Sequence, residues 1–267
     1  MSRLFLMALV ALTICTAAQA QTTLDEVVQI SVLDGGPTKD GRHMAALRVT
    51  LKEGWKTYWR APGDAGIPPR FSWTGSRNVD GVEIVWPAPT VFDQSGYRSV
   101  GYIGQLVLPL LLDPAKPGAP LRLKGEIDFG VCKDVCVAAR LPFSQDLDLT
   151  AGRNPTIAAA MAQRPFSARE AGVRSATCSV RPTQDGMQVE TRIDLPRAKG
   201  EEVVILEPGN PLLWASEMNS RRKDGALVSV GEVIHSEGRS FALNRSDMRI
   251  TVLSNGQAVE INGCTAG

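Results

Sequence analysis

Between residues 27 and 149 the apolar positions fall in short runs, at 27–33, 44–51, 82–86, 106–112, 121–129 and 141–149, each closed by a turn rich in glycine or proline. None of these runs carries a 3.6-residue period long enough for a helix. The 25 glycines and 17 prolines punctuate the runs and do not interrupt them, which is the pattern of strands joined by turns. Such strands bury their apolar faces by packing two sheets together, so an antiparallel β-sandwich is expected here. The aromatic residues Trp55, Tyr58, Trp59, Trp73, Trp86, Tyr97 and Tyr102 concentrate in this half, where core filling accounts for most of them.

A different signal follows. Asn154-Pro155 before an alanine-rich stretch to Gln163 reads as an N-cap, a first-turn proline and a short helix that stops before Pro165. Strand-like runs then resume at 173–181, 187–195, 202–206, 226–234, 248–253 and 258–261. The expected organisation is all-β, with a sandwich over 21–150, a helical linker over 151–165 and a second, smaller sandwich over 166–267.

Residues 1–20 read as an export signal. Arg3 supplies the positive start, 4–14 is apolar, and Ala18-Gln19-Ala20 offers a small-x-small cleavage site, so the mature chain is expected to begin at Gln21 and to be periplasmic. No later apolar run nears the roughly 20 residues needed to cross a bilayer; 106–112 is the longest and contains Pro109. With 29 Lys and Arg against 28 Asp and Glu, the chain has no charge excess that would favour nucleic acid.

The signal takes one cysteine with it and leaves Cys132, Cys136, Cys178 and Cys264 in a compartment where disulfides persist. Cys178 lies in the first strand of the second half and Cys264 follows its last. A bridge between them closes a long loop and is worth about 4.6 kcal/mol in the chain-entropy model, which is a structural staple. Cys132 and Cys136 enclose only Lys133, Asp134 and Val135, and the same model rates that bridge at roughly 2 kcal/mol. On a straight strand these two positions lie about 13 Å apart, well beyond disulfide reach, so a three-residue hairpin tip after Gly130 is required. Lys133 favours a thiolate and Asp134 opposes it, so neither sulfur is singled out as the nucleophile.

Three uses of this pair fit its residues: redox exchange, a structural turn bridge, or two-coordinate Cu(I) held by the thiolates. Zinc needs further ligands, and the two histidines, His43 and His235, have no nearby cluster. The sequence has no glycine-rich nucleotide loop and no nucleophile elbow, and no cofactor is expected.

The stretch Gly54-Trp55-Lys56-Thr57-Tyr58-Trp59-Arg60-Ala61-Pro62-Gly63-Asp64-Ala65-Gly66, with Trp86-Pro87-Ala88-Pro89, Gly101-Tyr102, Leu108-Pro109 and Val131-Cys132 to Cys136-Val137, resembles one family. It is similar to the N-terminal periplasmic domain of the thiol:disulfide interchange protein DsbD, and most to the ScsB (copper-sensitivity suppressor) branch. The resemblance covers about residues 25–150. It implies an immunoglobulin-like sandwich in which Cys132 and Cys136 shuttle between dithiol and disulfide, making the protein a thiol-disulfide oxidoreductase. It also implies partners: a membrane-embedded thiol reductase as donor and periplasmic thioredoxin-like proteins as acceptors.

The family caps its disulfide with an aromatic loop. The matching segment here is 92–102, with Phe92, Tyr97 and Tyr102 as cap candidates. Arg60 and Asp64 lie in the best-matched motif, where Arg60 either braces a loop or meets a partner. The sequence departs from the full-length proteins by ending at Gly267, without a membrane bundle, so the donor is expected to act in trans. Its cysteines also enclose fewer residues than those of DsbD, as in the ScsB branch. Two further functions stay open, a Cu(I)-binding copper-tolerance protein and a non-catalytic docking scaffold.

Overall fold

The computed structural model describes residues 24–64, 66–94 and 96–267; the expected export signal lies outside them. The first half forms β1 (Val28–Pro37), β2 (His43–Leu51), β3 (Lys56–Gly63), β4 (Arg70–Ser72), β5 (Val79–Ile84), β6 (Thr90–Gln94), β7 (Tyr97–Ile103), β8 (Gln105–Pro114), β9 (Leu121–Cys132) and β10 (Cys136–Leu147). One sheet runs β1-β2-β8-β5. The other runs β10-β9-β3-β7-β6, with β4 beside β9. All pairings in these two sheets are antiparallel. Their facing sides close over a buried core that includes Leu47, Trp59, Val100, Leu108, Leu123 and Phe129.

The short helix Pro155–Ala162 follows, capped as its sequence requires. Asn154 Oδ1 accepts from the main-chain N–H of Thr156 at 3.0 Å and of Ile157 at 3.4 Å.

The second half forms β11 (Phe166–Ser167), β12 (Ser175–Pro182), β13 (Met187–Asp194), β14 (Val203–Glu207), β15 (Leu213–Ala215), β16 (Asn219–Lys223), β17 (Ala226–His235), β18 (Arg249–Ser254), β19 (Gln257–Asn262) and β20 (Thr265–Ala266). The sheets run β11-β19-β18-β14 and β15-β17-β13-β12-β20, with β16 also on β17. The short pairs β11 with β19 and β12 with β20 are parallel, an exception to the antiparallel expectation. A disulfide joins Cys178 in β12 to Cys264 after β19.

The two halves are not linked by the helix alone. Strand alternation gives the β14-β18-β19 face two loyalties: Val204, Leu206, Ile250, Val252 and Ile261 enter the second core, while Val203, Leu253 and Ala258 enter the first. Ile205, partly buried, packs with the latter group. That sheet is therefore apolar on both sides, and one of those sides is covered by the first sandwich.

Candidate functional site

In β9 the residues Leu121, Leu123, Ile127, Phe129 and Val131 point into the core. A two-residue period then puts Cys132 on the outer face with Arg122, Lys124 and Asp128. Cys136 opens β10 directly opposite Cys132 in the register. The two are joined as a disulfide with Cα atoms 4.1 Å apart, close to the roughly 4.5 Å of an antiparallel pair without mutual main-chain hydrogen bonds. Lys133, Asp134 and Val135 make the turn, and the Lys133 N–H donates to the Val135 carbonyl at 3.1 Å. This is the three-residue tip that the spacing demanded.

The two sulfurs differ in access. Cys136 and the three turn residues are exposed, Val135 at 68%, whereas Cys132 is 0% exposed. An outer-face residue near the end of a hairpin is buried only if something covers it. The cover begins with Tyr58. In β3, Thr57 and Trp59 are fully buried and face inward, so Lys56 and Tyr58 face outward. Lys56 pairs in register with Cys132, and Tyr58 pairs with Gly101 on its other flank.

The Tyr58 hydroxyl lies 2.9 Å from Cys132 Sγ, to which it donates, and 3.4 Å from Cys136 Sγ. Its ring can lie along the sheet because β9 carries glycine beside it: a Cβ on Gly130 would stand 3.1 Å from Tyr58 Cε2 and 2.9 Å from Ile67 Cβ. The chain leaving β3 folds back over this ring. A Cβ on Gly66 would stand 2.2 Å from Pro62 Cβ and 2.8 Å from Tyr58 Cδ1, so only glycine permits the close return. Tyr58 is consequently 1% exposed and Ile67, above it, 42%.

Residues 20–146 match the family model of the thiol:disulfide interchange protein DsbD, N-terminal. Over this stretch, just under half of its length, the chain is similar to a DsbD N-terminal domain. Among solved structures it is similar to the N-terminal periplasmic domain of ScsB from Proteus mirabilis, with 22% sequence identity and a TM-score of 0.70. That likeness covers 92% of this chain and 97% of that chain, so the shared fold takes in both sandwiches. No curated protein matches the chain.

The three cap candidates of the DsbD-like segment part company. Phe92 lies on the outer face of β6, three strands from β9 in the sheet, half-buried, with its ring centroid 4.8 Å from Nζ of Lys56, the residue in register with Cys132. Tyr97 starts β7 and is 59% exposed. Tyr102 faces the opposite way: it belongs to the core, its hydroxyl donates to the Pro87 carbonyl at 2.8 Å, and burial drives its phenol pKa far up. A core residue cannot cap the outer-face disulfide, so Tyr102 is corrected to a packing role. Phe92 alone of the three is held beside a residue in register with the disulfide.

The DsbD-like motif therefore contributes residues that were not singled out for the site. Tyr58 and Lys56 do not stand out by type among so many aromatics and cations. Their shared parity with Cys132 on the outer face is the signal that would have found them.

The histidines sit elsewhere. His43 is buried, with Nε2 2.7 Å from Asp34 Oδ1, and His235 Nδ1 accepts from the Glu237 N–H at 3.1 Å. Among the described residues no three His, Cys, Asp or Glu side chains converge as metal ligands. No helix among the described residues is long and apolar enough to cross a membrane.

Proposed function

We propose that this protein is a periplasmic thiol–disulfide carrier whose Cys132–Cys136 pair takes two electrons from a membrane-embedded thiol reductase and delivers them to thioredoxin-like proteins. The observation that carries this reading is the asymmetry of the bridge: one cysteine exposed at a hairpin tip, the other buried under a hydroxyl donor.

The chemistry follows from that asymmetry. A donor thiolate attacks Cys136 Sγ, the sulfur within reach, and the bond to Cys132 breaks with its electron pair leaving on Cys132 Sγ. The Tyr58 O–H donates to that developing thiolate, a charge-assisted bond stronger than the one it makes to the disulfide sulfur. A second donor thiolate then attacks the donor's own sulfur in the mixed disulfide. Cys136 is released as thiolate, the donor departs as a disulfide, and two protons from solvent complete the dithiol. Delivery runs the same steps backwards: Cys136 attacks the acceptor's disulfide, and Cys132 attacks Cys136 Sγ to expel the reduced acceptor.

Under this proposal residues 21–150 form the exchanging sandwich, 151–165 the connector and 166–267 the supporting sandwich, delivered to the periplasm by a cleaved signal over 1–20. Cys178–Cys264 is assigned a structural role. Cys178 is fully buried, and Cys264 beside it is half-buried.

Trapping tests the assignment. A thioredoxin-like protein with its own resolving cysteine removed, activated as a mixed disulfide with a small aromatic thiol, is offered to two single variants. Cys132→Ser, which keeps Cys136, is expected to form a covalent heterodimer, and Cys136→Ser is expected to form none. Equal trapping by both, or trapping by Cys136→Ser alone, contradicts the mechanism.

A further inference from the structure

Arg60 lies in β3 two residues beyond Tyr58, where the pairing with β7 shifts register between Tyr58 and Gly63. Its guanidinium is only 15% exposed, and its partners lie in the second sandwich. Nε and Nη2 donate to the two carboxylate oxygens of Glu207, each at 2.9 Å, and Nη2 also reaches Glu260 Oε2 at 2.7 Å. Arg249 stands behind both carboxylates, at 3.8 Å from Glu207 and 3.7 Å from Glu260, so two cations meet two anions. Burial opposes the Arg60 charge, and the carboxylates more than offset it.

A second anchor lies three residues on. Gly63 packs so closely on Arg98 that a Cβ there would stand 2.5 Å from its carbonyl oxygen. The Arg98 side chain, in turn, pairs with Glu217 at 2.8 Å and Glu201 at 3.5 Å, again across the junction. The segment between these anchors leads straight into the return that covers Tyr58. Its other side borders a cleft of about 750 Å³ between the sandwiches, lined in part by Pro208, Trp214 and Arg70, so it is not pressed into place by packing on that side.

We infer that Glu207 and Glu260 are positioning residues for the redox site: by fixing Arg60 they hold the segment that covers Tyr58, whose hydroxyl lies on Cys132, and so confine exchange to Cys136. The second sandwich is then part of the wall of the site and not a separate docking module. The chemical meaning of this shielding rests on the exchange reading above, but the shielding itself is measurable without any partner. Breaking a bidentate, half-buried pair leaves charges without their partners, and the covering segment gains local openings that leave the rest of the fold intact.

The test uses the full mature chain carrying Cys136→Ser, so that Cys132 is the one thiol of the pair. Alkylation of Cys132 by iodoacetamide is followed by mass spectrometry under native conditions. Arg60→Ala, and separately the near-isosteric Glu207→Gln with Glu260→Gln, are each expected to speed alkylation about tenfold over the parent. Val252→Ala, deep in the second core, is the control for general loosening and is expected to leave the rate near the parent's. If Arg60→Ala does not fold, the Gln pair supplies the same reading. Rates in the Arg60 or Gln variants no higher than in the Val252 control at matched unfolding midpoints overturn the inference. Failure to trap a partner together with faster alkylation would defeat the exchange reading and leave this one standing, whereas trapping with unchanged alkylation would do the reverse.

Discussion

At the scale of single residues, the site is an unequal pair of sulfurs made unequal by Tyr58. Its hydroxyl bonds weakly to a disulfide sulfur and strongly to a thiolate, so it stabilises the reduced form of Cys132 more than the oxidised form. Removing the hydroxyl should make the bridge harder to reduce. A differential of about 1.4 kcal/mol corresponds to a fall of about 30 mV for a two-electron couple, which is the expected effect of Tyr58→Phe in a glutathione equilibrium. An unchanged or raised potential would mean that the hydroxyl plays no part in leaving-group stabilisation. The cysteine pair and its hairpin tip were readable from spacing alone, because five residues cannot close a disulfide on a straight strand. Tyr58 was not, since its role depends on which face of β3 it occupies, and Trp55, Tyr58 and Trp59 together obscure the alternation.

Among the elements, the strands foreseen from apolar runs are those of the core: β1, β2, β5, β8, β9 and β10 all appear where those runs lie. The strands beside the site on its sheet, β3, β4, β6 and β7, lie in stretches where glycine, proline and charged residues break the apolar runs. They give no strand-like run because those breaks remove the apolar alternation. The β9 and β3 neighbours are intolerant of added volume. Gly130→Ala would push a methyl between Tyr58 and Ile67, and overpacking of this kind is expected to cost about 1–3 kcal/mol in denaturant unfolding. A change below the scatter of the measurement would show that the cover yields freely, against the tight return described for Gly66. The connector was legible for the opposite reason: an asparagine cap and a first-turn proline are local signals that no tertiary contact needs to supply.

For the whole molecule, a shared sheet changes what two domains mean. The β14-β18-β19 layer serves two cores, and the ionic cluster of Arg60, Glu207, Glu260 and Arg249 crosses the same junction. Composition and run spacing revealed two β units but not that junction, because Val203, Ile205 and Glu207 alternate with Val204 and Leu206 in a strand that looks apolar throughout. The two disulfides are placed differently, one joining β12 to the chain after β19 and one at an exposed hairpin tip. The account therefore stands or falls on their reduction potentials, measured side by side in the mature chain by equilibration with glutathione or dithiothreitol buffers and mass spectrometry of the alkylated cysteines. Cys132–Cys136 is predicted to equilibrate above about −300 mV, in the range of exchanging pairs, while Cys178–Cys264 remains oxidised to more negative values. Both bridges resisting reduction beyond that value would contradict the claim that the first is a carrier of electrons.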